Sequence, residues 1–295
     1  MHNETFLDFA ARMRSTPWAL EPGRMSALRA LVDAGPRGAR AARPPPRRRG
    51  VAAGTAVLSI VGVLDQREGW LTMLGLGVSC TSISAALNDA LNDPSIGRIV
   101  IDVDSPGGSV AGVIELADEI YAARSKKPIV AVANSSAASA AFWLGSQATK
   151  LYASPGAEVG SVGVFVQHED VSKAMADAGI GVTLISAGRH KTEGNPFSAL
   201  DPNAQAFMQS RVDAYYGAFV GAVARGRGVP PSKVRSGMGE GRLVGADQAL
   251  AEKMVDGVAT LAEVLTGRLA LGGSTSAHTP RPGVARALRE LGRLT

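Results

Sequence analysis

Runs of β-branched residues of strand length alternate with amphipathic helices through most of this chain. Residues 56–64 (AVLSIVGVL) and 99–103 (IVIDV) are apolar, β-branched and bounded by turn formers, which predicts buried strands. Between them, Ile83, Ala86, Leu87 and Ala90 recur at helical spacing within residues 82–91. Residues 110–123 place Val110, Val113, Ile114, Ala117, Ile120 and Tyr121 on one helical face. Pro128 opens a third strand at residues 129–133, and a small-residue helix follows at 138–148. Residues 161–166 and 182–186 are predicted as two further strands. A long helix then runs from about Pro202 to Arg225, with Asp201 as N-cap and Gly226 as its stop. Strands alternating with helices predict a mostly parallel α/β core.

Charge divides the chain. The net charge is +5, yet residues 1–50 hold ten Arg against four acids and residues 268–295 hold five Arg against one. The basic character therefore belongs to the ends, which predicts a Pro/Arg-rich N-terminal segment and linker (1–50), a globular domain (51–267) and a flexible basic tail (268–295). Residues 37–49, with three consecutive Pro and three consecutive Arg, read as a solvated linker that catalysis does not need. Without interleaved aromatics they carry no signal for specific nucleic-acid recognition. Upstream, Phe6, Phe9, Met13 and Trp18 form a weak helical stripe, the mark of a docking or pro-segment. The single cysteine, Cys80, excludes a disulfide framework, and the four histidines have no zinc-site spacing, so no metal or cofactor is expected. Neither a secretory signal layout nor a membrane span is read.

Three segments carry chemistry. Asp104-Ser105-Pro106-Gly107-Gly108 links a buried strand to a helix, and such a turn aims backbone N–H groups where negative charge is favoured. It is equally what a tight strand-to-helix turn needs. Asn134 to Trp143 (NSSAASAAFW) is again a strand running into a helix. A serine at that junction can expose its hydroxyl beside oxyanion-stabilising N–H groups, or simply cap the helix. Residues 186–197 (SAGRHKTEGNPF) form a polar loop. A lysine there is ordinarily solvated, but near a nucleophile a desolvated lysine can accept its proton.

Together these segments resemble the signal peptide peptidase A family of serine peptidases, closest to its phage head-maturation branch. SPGG, AASAAFW and SAGRHKTEGNPF stand in the family's order. Residues 160–164 (GSVGV) resemble its GSIGV strand, and residues 241–258 resemble its segment ending in GLVDGV. The resemblance spans about residues 51–260. It implies an α/β, ClpP/crotonase-like fold of repeated ββα units, Ser139 as nucleophile and Lys191 as general base. It also implies an oxyanion hole from the Gly107/Gly108 turn, with Gly108 preferred, and the N–H of Ala140. Capsid or scaffold polypeptides are the implied substrates, cut in the host cytoplasm or the procapsid by a homo-oligomer. The apolar surface of helix 202–225 (Phe207, Met208, Val212, Tyr215, Tyr216, Phe219, Val220, Val223) is wider than one core-facing stripe and would bury against a neighbouring copy. Trp143 is expected to pack beneath the nucleophile.

Other readings remain open on residues alone. His168, with Asp102, Asp104 or Asp170, invites a Ser-His hydrolase, and His190 adjoins the implied base. A crotonase-type acyl-CoA enzyme and an inactive prophage assembly protein are the remaining alternatives.

Overall fold

The computed structural model describes residues 5–14, 16–35 and 54–267. The arginine run at 37–49 and the tail from 268 lie outside them. The elements begin with α1 (Phe6–Met13), β1 (Trp18–Leu20) and α2 (Pro22–Asp33). The α/β core then runs β2 (Thr55–Val61), β3 (Val63–Asp65), α3 (Trp70–Met73), β4 (Gly77–Ser79), α4 (Cys80–Asn92), β5 (Arg98–Ser105), β6 (Gly107–Ser109) and α5 (Val113–Ala123). It continues with β7 (Ile129–Ala138), α6 (Ala140–Gly145), β8 (Lys150–Ala153) and β9 (Glu158–Gly160). An arm follows that holds α7 (Ser172–Asp177) and leads into α8 (Pro202–Arg227). The chain closes with α9 (Pro231–Arg235), β10 (Leu243–Gly245), α10 (Ala246–Ala251), β11 (Gly257–Val258) and α11 (Leu261–Thr266).

The main sheet places β2, β5, β7 and β8 side by side in parallel, with β9 beside the far half of β7. On β5, Ile99, Val100, Ile101 and Val103 are fully buried, as a central parallel strand packed on both faces requires. A smaller sheet, ordered β1-β6-β3-β4, collects the short strands. Long strand, short strand, helix is the ββα unit of a ClpP/crotonase-like fold, repeated as β2–β3–α4 and β5–β6–α5.

Local chemistry sets where elements break. The single run read at 56–64 divides at Gly62, whose φ of +80° lets the chain pass from the main sheet to the smaller one. A Cβ there would stand 2.5 Å from the Leu76 carbonyl oxygen. Helix α8 begins as expected, with Asp201 accepting from the Asn203 N–H at 2.8 Å and Pro202 in its first turn. It stops at Gly228 rather than Gly226. Gly226 serves close packing instead: a Cβ there would lie 2.2 Å from the Ser146 carbonyl oxygen. Trp143 and Phe219 stack at 4.5 Å and join α8 to the core beneath α6.

Two predicted strands do not form. Residues 161–166 are irregular apart from one bridge at Phe165, and residues 182–186 pair with nothing among the described residues. Val182, Leu184 and Ile185 are exposed, the last at 96%. Their β-branched pattern lacks a sheet edge within reach, and β-propensity makes a strand only where a partner supplies the ladder.

The C-terminal half of α8 is tied to β8 through Asp256. Its carboxylate accepts from Arg227 Nη1 at 2.8 Å, the Leu151 N–H at 2.9 Å and Lys150 Nζ at 3.0 Å. Burial alone would raise its pKa, but the Arg227 hydrogen bond and charge, with the other donors, outweigh burial and lower it. A depressed folded pKa stabilises above the unfolded value near 3.8 and is lost as pH falls through the folded one. Asp256→Asn should therefore cost about 2 kcal/mol in denaturant melts at pH 7. At pH 3 the gap between the two proteins should narrow.

Candidate active site

Strand β7 is the element that positions the site. Its register against β5 slips after Val103, so that Ser105 faces Ala137, and the strand's far half swings across to pair with β9. The strand ends at Ala138, and Ser139 makes the turn into α6 with φ 53° and ψ −118°. A non-glycine residue held there is strained, and such strain persists where surrounding structure fixes it. Here the Ser139 N–H donates to the Gly160 carbonyl at 2.7 Å, and its carbonyl accepts the Trp143 N–H at 2.9 Å. Every residue of α6 is buried behind it. The side chain does not cap the helix; its hydroxyl makes one long contact, 3.4 Å, to the Gly163 carbonyl. The capping alternative is thereby removed for Ser139. Ser135 and Ser136 lie within β7 itself.

The glycine turn stands directly opposite. Gly107 has φ +91°, and a Cβ on it would lie 3.0 Å from the Ala140 nitrogen and 2.3 Å from the Ala19 oxygen. On Gly108 a Cβ would meet the Leu64 oxygen at 1.9 Å. Both glycines are needed for close approach, and they bring the turn against the start of α6. The Gly107 N–H donates to Ser105 Oγ at 3.2 Å.

Lys191 is exposed on the arm and has no hydrogen bond to Ser139 among the described residues. Its loop borders a cavity that neither Ser139 nor the glycine turn lines. His190, Glu193 and Gly194 line a cavity of about 530 Å³ together with Pro17 and Val166. His190 Nδ1 contacts the Glu193 carboxylate. His168 is half-buried, and its Nε2 pairs with the Asn195 carbonyl at 3.0 Å, not with Ser139. Asp170, the third member considered with it, holds the Ser172 N–H instead. A Ser-His pair is therefore not assembled here. Among the described residues no group of His, Cys, Asp or Glu could hold a metal ion, and no helix is long and apolar enough to cross a membrane.

Cys80 offers no rival nucleophile. Burial, with the nearby Asp65 and Glu115 charges, pushes its thiol up to about 12. Iodoacetamide at pH 8 should leave the native protein unmodified and its activity unchanged, and should alkylate Cys80 only after unfolding. Mass spectrometry checks both.

Fold and elbow together define a class: a ClpP/crotonase-like α/β protein that presents a strained serine at a strand-to-helix junction, against a glycine turn. The chain belongs to peptidase family S49, whose family model matches residues 121–270. It is 32% identical over 250 residues to the head-tail preconnector protein GP5 of Enterobacteria phage P21, covering 83% of this chain and 48% of that protein. It is 37% identical over 182 residues to the capsid assembly protease C of Escherichia phage lambda, covering 62% of this chain and 40% of that one. Protease 4 of Salmonella typhi is 30% identical over 174 residues, 59% of this chain and 28% of its own length. The chain thus spans about half or less of the length of these three relatives.

Trp18 does not continue the helical stripe of Phe9 and Met13; it lies in β1, paired with the glycine turn. The ALEP sequence after it, a polar break before a proline-started helix, is the only local sign of an extended segment.

Proposed function

We propose that the chain is a serine endopeptidase with a Ser139–Lys191 dyad that cuts capsid or scaffold polypeptides during phage head assembly. The observation that carries this is Ser139: strained, buried at the elbow, released from capping duty, and opposite a glycine turn. The similarity to a phage capsid assembly protease supports the substrate class. In the proposed reaction Ser139 Oγ attacks the scissile carbonyl carbon while the Lys191 amine takes its proton. The developing oxyanion is held by the N–H groups of Gly108 and Ala140, with Gly107 shaping the turn. Lys191 then protonates the leaving amine, and water hydrolyses the acyl-enzyme by the same route.

Lys191 is in water in the single chain, and a lysine base requires a drier setting. Assembly supplies it. The arm that carries Lys191 exposes Ile180, Leu184 and Ile185, and the first half of α8 exposes Phe207 at 60%. Apart from Ala204, the buried side chains of α8 lie in its far half, at Phe219, Val220, Val223 and Ala224. A homo-oligomer that covers the arm would bury these side chains and dehydrate the lysine together. Light scattering at micromolar concentration should find an assembly several-fold heavier than 30.3 kDa. An active species at the monomer mass would remove assembly from the mechanism.

The whole reading is tested by incubating the purified chain with the scaffold and major capsid proteins of the same genome. Discrete fragments are expected, lost in the Ser139→Ala chain. Intact substrates after prolonged incubation with the assembled wild type would contradict it.

A further inference from the structure

Three residues of the N-terminal segment lie where a substrate would have to lie. Strand β1 pairs antiparallel with β6, setting Trp18 against Ser109, Ala19 against Gly108 and Leu20 against Gly107. The ladder continues through the Glu21 N–H, which donates to the Pro106 carbonyl at 2.8 Å. On its other edge Trp18 exchanges two hydrogen bonds with Phe165, at 2.8 and 3.0 Å. Those edges are the two walls of the serine elbow. One wall is the glycine turn, against the Ala140 nitrogen. The other is the segment whose Gly160 and Gly163 carbonyls contact Ser139. A polypeptide attacked by Ser139 must run extended between these walls, adding a strand to exposed backbone on either side. That strand position is already filled, and Ala19 turns its carbonyl oxygen toward the turn, 2.3 Å from where a Gly107 Cβ would be.

The filling strand is also latched. Phe9, Met13, Trp18, Leu20, Met25 and Leu28 form a second core against Val63, Trp70 and Leu71. Arg12 Nη2 binds Asp65 Oδ2 at 2.5 Å, and Arg29 pairs with Glu169 beyond the bridge. This latch is small and separate from the main core, the kind of unit that opens locally without global unfolding.

We propose that residues 18–20 act as a built-in substrate mimic that blocks the cleft, and that the N-terminal unit must swing out before another polypeptide is cut. This rests on the Ser139 reading of the site. A tethered strand acts at an effective concentration on the order of millimolar, so a micromolar substrate competes poorly until the latch opens.

The test is the rate at which a fluorophosphonate probe labels the full chain, alongside hydrolysis of a short fluorogenic peptide. Ala19→Pro removes the N–H opposite Gly108 and disrupts the strand. Arg12→Ala cuts the outer tie and leaves the strand sequence intact, so it carries the test should the proline variant fail to fold. Labelling and hydrolysis are expected to rise about ten-fold or more in Ala19→Pro and several-fold in Arg12→Ala. A synthetic peptide of residues 16–22 should inhibit the opened variants competitively, which loosened packing alone would not produce. Equal rates in the wild type and in every folded variant overturn the blocking proposal while leaving Ser139 as nucleophile. Folded variants that never react with the probe overturn the nucleophile reading, and the proposal with it.

Discussion

Ser139→Ala is expected to abolish peptide-bond cleavage while leaving the fold intact. The loss should be on the order of 10⁴–10⁶-fold in kcat, because removing the nucleophile of a serine peptidase leaves only binding and oxyanion stabilisation. Stability should barely change. The hydroxyl makes a single contact of 3.4 Å and caps nothing, so its removal orphans no buried donor. The backbone strain at φ 53° is shared by serine and alanine alike, since both carry a Cβ. Kinetics and a thermal melt together separate this from unfolding. Ser136→Ala is the companion control. Ser136 lies within β7, paired with Glu158, and its replacement should retain most activity. If Ser136→Ala were dead and Ser139→Ala active, the elbow would be misassigned by three residues.

Lys191→Arg should be inactive by a similar margin, at least 10³-fold. The guanidinium keeps the positive charge but cannot accept a proton from serine near neutral pH. Lys191 is exposed in the single chain, so the substitution should not disturb folding, and light scattering on the variant shows whether assembly survives. His168→Ala should keep much of the activity. Its ring holds the Asn195 carbonyl at 3.0 Å, so it steadies the loop four residues beyond Lys191 without touching Ser139. A modest rise in KM fits that role. The opposite pattern, an active Lys191→Arg and a dead His168→Ala, would replace the Ser-Lys assignment with a Ser-His one.

The parts of the fold that could be read from sequence are those whose own residues determine them. β5 and β7 contain the apolar runs 99–101 and 129–133, α5 carries its own periodicity, and Asp201 with Pro202 marks the start of α8. The SPGG turn and the serine elbow announce themselves because glycine and small side chains are needed wherever backbones approach closely. What stayed hidden depends on distant partners. Residues 182–186 have strand composition, yet they form no ladder because none of the described strands reaches them. Residues 18–20 are too short for a period-two pattern, and their strand exists only because β6 and Phe165 offer two open edges. Gly226 has the composition of a helix stop, whereas its missing side chain makes room for the Ser146 carbonyl at the end of α6. The serine at the strand-to-helix junction is legible for the same reason as the turns. The place of the proposed base is not, since Lys191 sits on an arm whose setting the single chain leaves open to water.

The central claim is that Ser139 is the reactive nucleophile, and the most direct test is to find where a fluorophosphonate attaches. The full chain, or the Ala19→Pro variant, is incubated with the probe, digested and mapped by tandem mass spectrometry. One adduct is predicted, on Ser139, and it should disappear in Ser139→Ala and weaken sharply in Lys191→Arg. An adduct on Ser135, Ser136 or any other residue, with Ser139 unmodified in a folded protein that still cleaves its substrate, would contradict the account.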